Sequence, residues 1–430
     1  MENVINFIIF QILDQGPVFI GLIAAVGLIL QKKKASVVLE GTIKTVVGLL
    51  IISLGAGVLM GTMGGIMGTL NDMIQVKGVL PVNEAAWAVA MKTMSNTITL
   101  TFLAGFFMHL AMVWLIPWKI FKNVYLTAHM MLFLACFADV TLEHIFHLSG
   151  MTLILSAGFM CALYWTLTPA IARKLGKDFL EDDLTLGFAS QVAAFFATRI
   201  AKVVGDPKDD AENLQLPKYL AMFRDTTISM SVLMPIMFIA IGLVVGGEAI
   251  EGLSGGQNWF IYLVIQGLTF AAGIVILLSG VRLFISNIVA AFKGISSKLI
   301  PGAVPALDAP AVFPYSPTGA MIGFIGSLFG AFFALALMIV GSSPVIVFPS
   351  IIMMFFDGGV LGVFGNKYGG WKGAFMAGLV CNFFGHLGCA YIYPMLGPIY
   401  GSGLMFSNTD YFFIWTPVMF ILNLIAGNGF

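Results

Sequence analysis

Asp308 is the single charge in an apolar stretch, 301–317, that Pro301, Pro305, Pro310, Pro314 and Pro317 keep from forming a continuous helix. Inside a membrane an ionisable side chain is expensive, and broken backbone is tolerated only where protein buries it or where it lines a cavity. There a carboxylate and the freed backbone groups can hydrogen-bond a small solute, so this stretch is the expected solute site. The competing use of Asp308 is structural, as the cap of a half-helix N-terminus. Ser316 and Thr318 add hydroxyls nearby, although Ser and Thr beside proline also serve simply to form turns.

Four other side chains can share this chemistry. Glu84 lies in a second interrupted segment, LPVNEAAWAV, where Lys77 and Lys92 would equally suit an ordinary external loop. His129 sits in a short apolar run and can bond a hydroxyl in either tautomer, or be a satisfied core histidine; Gln191 has the same two readings. His386 shares a helix face with Asn382, four residues earlier. The expected substrate-binding set is therefore Asp308, Glu84, His129, Gln191, Ser316, Thr318 and His386, with no catalytic residue, metal ligand or cofactor. Glu143, His144 and His147 cluster, but not at the spacing of a HExxH helix, and read as a solvated external loop. No P-loop, nucleophile elbow or zinc signature is present, and an intramembrane hydrolase would have only His129 or His386 with a nearby serine to use. Cys136, Cys161, Cys381 and Cys389 stand in apolar runs without metal spacing and read as small buried hydrophobes.

What positions these residues must be a membrane-embedded scaffold. The 430 residues are 59% hydrophobic and 10% charged, with a mean hydropathy of +0.98, which is too apolar for a soluble domain. A formal net charge of zero argues against nucleic acid, while 38 Phe and 49 Gly suit lipid contact and close helix packing. Apolar runs at 5–30, 42–63, 97–116, 124–139, 151–171, 226–247, 259–280, 319–341, 344–363, 374–393 and 411–426 predict an all-α polytopic protein of about eleven spans. The first run, which holds Asp14, reads as a retained span rather than a cleaved signal.

Lys32, Lys33 and Lys34 follow the first run and place the N-terminus outside and the C-terminus inside. With that orientation, of the 21 basic residues only Lys77 and Lys92 fall outside. The polar stretch from Arg173 to Asp225 divides the chain into two five-span halves of opposite orientation, with one further span. Each half runs through two long spans, a connector, an acid-bearing broken segment and three more runs. The connectors are 61–74 in the first half and 281–300 in the second. The second is amphipathic: Phe284, Ile288, Ala291, Phe292, Ile295 and Leu299 recur at helical spacing, which predicts a helix along the membrane surface, with Gly280, Gly294 and Pro301 as hinge positions. Inverted repeats with interrupted, acid-bearing segments at matching places point to a transporter. A proton-coupled symporter using Asp308 and Glu84 is the alternative reading of the same layout.

At EGTIKTVVGLL, YLTAH, LSGVRLF, FKGISSKLIPGAVPALDAPAVFPYSP and FGNKYGGWKGA the sequence resembles the membrane (IIC) component of the ascorbate-type phosphoenolpyruvate-dependent phosphotransferase systems, in the ascorbate-galactitol superfamily. The resemblance implies a homodimer in the bacterial cytoplasmic membrane, whose protomers have a dimer-forming V-motif domain (1–75 and 226–300) and a core domain (76–225 and 301–430). The core would carry a small polyhydroxylated solute by elevator motion, and a cytoplasmic IIB partner would phosphorylate it from a phosphocysteine. No phosphodonor residue is evident in this chain, and the few residues after the last run are too short for a IIB domain, so the partner is expected to be separate. The resemblance places solute contacts at His129, near Glu84 and at Asp308. Carriers of ascorbate read His-Ile-Met-Phe-Gln-Gln and Gly-His-Gln-Gln-Gln where this chain reads HMMLFL from His129 and GFASQ from Gly187. His129 and Gln191 match, but Phe133, Leu134, Phe188 and Ala189 replace polar side chains. A site discriminates by its polar groups, so the expectation is a more apolar pocket that binds ascorbate poorly.

Overall fold

The computed structural model describes residues 16–74, 78–81, 83–214, 226–298, 300 and 302–427, so Asp14, Lys77, Arg224, Asp225 and Pro301 lie outside the described residues. The chain is mostly helical. The first half runs α1 (Gly16–Leu30), α2 (Ala35–Ile74), β1 (Gly78–Pro81), α3 (Asn83–Leu115), β2 (Asn123–Tyr125), α4 (Ala128–Phe146), α5 (Gly150–Gly176), β3 (Thr185–Leu186) and α6 (Gln191–Val204). The second runs α7 (Thr226–Val245), α8 (Gly247–Leu253), α9 (Trp259–Lys298), β4 (Val304–Leu307), α10 (Pro317–Val340), β5 (Ile346–Val347), α11 (Ile351–Ile392), β6 (Leu404–Met405) and α12 (Thr416–Ala426).

Among the described residues five helices are long and apolar enough to cross a membrane: Thr93–Leu115, His129–Phe146, Gly150–Gly176, Pro317–Val340 and Met353–Met395. Shorter apolar helices cover Trp259–Gly273 and Tyr411–Ala426. The protein is thus a multi-pass membrane protein, although the eleven separate runs expected from hydropathy do not map one to one onto helices. The ninth and tenth runs join in α11, which is interrupted at Gly369 and Gly370. Gly370 has φ +61°, and a Cβ there would stand 2.5 Å from the carbonyls of Asp206 and Asp209, so the interruption demands glycine. The amphipathic connector is no separate element, because α9 continues through Gly280 to Lys298 as one helix of 40 residues. Likewise α2 continues through 61–74 to Ile74. The polar stretch between the halves contains α6, whose buried face of Gln191, Ala193, Ala194, Ala197, Thr198 and Ala201 packs on α11. At fourteen residues, with its buried face made of four alanines, Gln191 and Thr198, such a short amphipathic helix falls below what a hydropathy window detects.

Helix packing follows residue size. On α10, Gly323, Gly326 and Gly330 bring the backbone against α11: added Cβ atoms would stand 2.2 Å from Gly358 O, 2.1 Å from Phe375 O and 2.1 Å from Leu379 O. α10 also exposes Phe329, Phe332, Phe333 and Leu337, the side chains a lipid-facing surface accepts without cost. α9 packs against α1, α2 and α7, whereas α3 packs on α4 and α5, and α11 on α6 and α10. Where the two groups meet, Ala24 and Leu28 of α1 join Val124, Leu126, Ile300, Ala303, Leu307 and Ala311 in one buried cluster.

Among the described residues the structure adds six short strands to the expected all-helical fold, in two three-stranded sheets of parallel strands ordered β5-β1-β6 and β2-β4-β3. Each central strand follows a long helix of its own half and pairs with two strands of the other half. Such exchange locks the halves together through backbone hydrogen bonds, which no open end of chain in a membrane can forgo. In β4, Val304 N donates to Lys122 O at 2.7 Å and Ala306 O accepts from Leu126 N at 3.0 Å, both toward β2. Pro305 therefore turns its missing donor toward the β3 side, ahead of Ala306 where pairing with Thr185 begins, and no ladder bond is lost.

Candidate functional site

Three sequence-distant segments reach the β2-β4-β3 sheet and end beside one another. β2 pairs Asn123, Val124 and Tyr125 with Val304, Pro305 and Ala306, and β3 pairs Thr185 and Leu186 with Ala306 and Leu307. Gly187 N extends the second ladder, donating to Leu307 O at 2.6 Å. The chain leaves β4 at Asp308, leaves β2 through Leu126 and Thr127 into α4, and leaves β3 through 187–190 into α6. The sheet register thus brings Asp308, His129 and the segment ending in Gln191 to one end of the sheet.

Asp308 Oδ2 lies 3.7 Å from His129 Nε2, with the acid side chain 14% exposed and the imidazole 40% exposed. The other carboxylate oxygen accepts the Ala309 N–H at 2.8 Å and caps the short 3-10 turn Ala309–Ala311. Asp308 thus holds the turn with one oxygen and turns the other toward the imidazole. Burial raises its carboxyl above the ordinary range, while His129 and the Ala309 N–H draw it back. The ring of Phe133, one turn along α4, stands edge-on to His129 at 5.9 Å, and Phe133 and Phe188 are both buried. Thr127 Oγ1, two residues before His129, is buried with no partner among the described residues. A carboxylate, an imidazole and a free hydroxyl on an apolar floor can hydrogen-bond a polyhydroxylated molecule.

Gln191 opens α6 and is buried. The Tyr164 hydroxyl lies 3.1 Å from its Oε1 and 2.5 Å from Asp410 Oδ2, and Gln191 Nε2 donates to Leu186 O at 3.4 Å. The Asp410 carboxylate also accepts Ala193 N–H at 2.8 Å and Val192 N–H at 3.3 Å, a negative charge placed at the N-terminus of α6. Beside it, buried Asp357 accepts from the Ser190 hydroxyl, from Thr409 Oγ1 at 2.8 Å and N at 3.1 Å, and from Asn408 Nδ2 at 2.8 Å. Asn83 completes this network: its Nδ2 donates to Asn408 Oδ1 at 3.1 Å and its Oδ1 accepts Ser407 N–H at 2.8 Å. Sequence reading passed over Asp357, Asp410, Asn83, Asn408 and Tyr164. The available signal was an acid inside an apolar run, at MMFFDGGVLG and NTDYFFI, by the same rule that singled out Asp308.

The other expected residues take different places. Glu84 lies in the first turn of α3, next to Asn83, and its side chain is outside the described residues. Ser316 and Thr318 are committed to Glu212: Ser316 Oγ donates to Oε1 at 2.9 Å and Thr318 Oγ1 to Oε2 at 2.7 Å. His386 is buried in α11 with Nδ1 2.8 Å from Asn382 O, which requires the proton on Nδ1 and leaves Nε2 an acceptor with no partner among the described residues. Asn382 donates to Ser327 Oγ at 2.7 Å. His147 closes α4 with φ +55°, its N–H on Glu143 O at 2.8 Å, so the Glu143–His147 cluster is a helix end. All four cysteines are free and buried. His109, also unforeseen, accepts the Tyr125 N–H at Nε2 (3.0 Å) and bonds Thr166 Oγ1 through Nδ1 (2.8 Å), fastening β2 to α3 and α5.

The family model for the EIIC-GAT group, described as the PTS system sugar-specific permease component, matches residues 11–410. The chain is similar to the ascorbate-specific PTS system EIIC component of Mycoplasma pneumoniae (strain ATCC 29342 / M129 / Subtype 1), at 26% identity over 414 residues. That alignment covers 85% of this chain but 63% of the relative's length. A family match across nearly the whole chain, joined to a helical membrane fold with a polar site at the ends of its short sheets, means that the chain belongs to the PTS system sugar-specific permease components.

Proposed function

We propose that this protein is the permease of a sugar phosphotransferase system, carrying ascorbate or a related small sugar, sugar acid or polyol across the bacterial cytoplasmic membrane. The observation that carries the reading is the register of the β2-β4-β3 sheet, which brings Asp308 within 3.7 Å of His129 and both to the segment ending in Gln191. Asp308 accepts solute hydroxyls, His129 donates or accepts, and Asn83 beside Glu84 lines the approach from the first half. The solute is phosphorylated by a separate cytoplasmic IIB partner once it faces inward, with the N-terminus outside and the C-terminus inside.

The packing supports a division into a V-motif unit of α1, α2, α7 and α9 and a core of the remaining long helices, in a homodimer joined through the V-motif units. Elevator motion is then movement of the core past α1 and α9, across the cluster around Ala24 and Leu28. The test is binding of a panel of sugars, sugar acids and polyols to the purified protein and to Asp308→Asn. A member that binds the wild type and loses its affinity in the variant supports the reading, and identical profiles end it.

Proton-coupled symport is the second reading, and Asp139 favours it. Buried within α4, its Oδ1 accepts from Thr101 at 2.8 Å and its Oδ2 has no partner among the described residues, a position that suits a proton. Uptake that survives a protonophore while phosphoenolpyruvate is supplied excludes symport; uptake that collapses favours it.

A further inference from the structure

The Glu212 carboxylate receives four hydrogen bonds from the start of α10. Oε1 accepts Ser316 Oγ–H at 2.9 Å, Thr318 N–H at 2.8 Å and Gly319 N–H at 3.1 Å, and Oε2 accepts Thr318 Oγ–H at 2.7 Å. The N-cap residue, Ser316, makes no side-chain capping bond of its own, and Pro317 follows it, so the free N–H groups of this helix are served by a residue about a hundred positions earlier. Asn366 of α11 holds the loop that carries Glu212 in place. Its Nδ2 protons reach Asp210 Oδ1 (2.6 Å) and Ser316 Oγ (2.9 Å), and its Oδ1 accepts Ala211 N–H (2.8 Å).

The consequence concerns the segment from Asp308 to Ser316. At its beginning it is fixed by β4, which is bonded on both edges. Between its ends run two short 3-10 turns, Ala309–Ala311 and Phe313–Tyr315, whose backbone bonds span only three residues, such as Ala311 N to Asp308 O and Ser316 N to Phe313 O. Turns of that kind are weak alone. The far end is fixed by the charge-assisted bonds to Glu212, at the positive end of the α10 dipole. We propose that Glu212 is a positioning residue: by anchoring the start of α10 it holds Asp308 in reach of His129. This rests on the reading of Asp308 as the solute-binding acid.

Hydrogen–deuterium exchange on the full-length purified protein tests it, with Glu212→Ala, Glu212→Gln and, as a milder change, Thr318→Val. In Glu212→Ala exchange should quicken about tenfold at Thr318 and Gly319 and also back through 308–316, while Val304–Leu307 keeps its protection. Glu212→Gln, which retains an oxygen for three of the bonds, should change less, and Thr318→Val least. In parallel, radiolabelled ascorbate and galactitol are the uptake probes: half-saturation should rise about tenfold in Glu212→Ala, with the maximal rate within about twofold of wild type. Quickened exchange confined to Thr318 and Gly319, or maximal rate lost together with global stability at unchanged half-saturation, would overturn the proposal. Thr318→Val decides the exchange pattern if the Glu212 variants do not fold. Failure of the underlying reading looks different, because Asp308→Asn then takes up both probes as wild type while 308–316 still loosens in Glu212→Ala.

Discussion

Asp308 and His129 face each other across the ends of two paired strands, 3.7 Å apart at Oδ2 and Nε2, although 179 positions separate them in sequence. Neither is spent: one Asp308 oxygen serves the Ala309 turn, and the imidazole retains two-fifths of its exposure. A solute hydroxyl bridging the pair would complete it. Asp308→Asn keeps the turn-capping oxygen but removes the charge, and solute affinity is expected to fall about tenfold or more without unfolding. Calorimetric titration with the binding member of the panel, beside a melting curve, measures both; wild-type affinity would exclude Asp308.

Acid should weaken binding earlier than an ordinary carboxylate would. Burial raises the Asp308 carboxyl, so its charged, accepting form is lost as pH falls through a value above the usual range, and binding present at neutral pH should be lost with it. Affinity measured between about pH 4 and pH 8 in a His129→Gln background isolates the carboxyl. A profile unchanged by adding Asp308→Asn would rule this out.

Ascorbate is expected to bind poorly because Phe133 and Phe188, both buried, stand where ascorbate carriers have polar side chains. Phe133→Gln places an amide one helical turn from His129 and should strengthen ascorbate binding by about 1 kcal/mol. Tight binding of ascorbate to the wild-type protein, read by calorimetry, would show that selectivity lies elsewhere.

Asp357 gathers Ser190, Asn408 and Thr409 from two crossing segments, and its removal strands their buried donors. Asp357→Ala is expected to cost about 3 kcal/mol of stability, and Asp357→Asn about half of that, in denaturant unfolding of the detergent-solubilised protein. Equal stability of all three would mean that the network is not integral to the fold.

A disulfide across the cluster that joins Leu28 of α1 to Leu126 beside β2 should stop uptake and release it on reduction, while one-sided solute binding persists. Cys136, Cys161, Cys381 and Cys389 are replaced first. Full-rate uptake by completely oxidised protein would replace elevator motion with a local gate.

By itself the sequence determined the membrane class, the helical architecture and the family, and it singled out the broken segment around Asp308. Those are local properties: hydropathy over about twenty residues, proline that forbids a helix, one charge in an apolar run. Tertiary structure alone decided what those residues meet. The strands are two to four residues long and pair across the two halves, too short for any periodicity and too remote for any local pattern, yet their register brings His129 to Asp308. Ser316 and Thr318, which look like solute ligands beside Asp308, instead bond Glu212, because the loop at 205–213 folds onto Asn366 and the start of α10. Gly280 looks like a hinge but lies inside the unbroken α9, since one glycine costs a helix only about 1 kcal/mol and packing against α2 and α7 outweighs it.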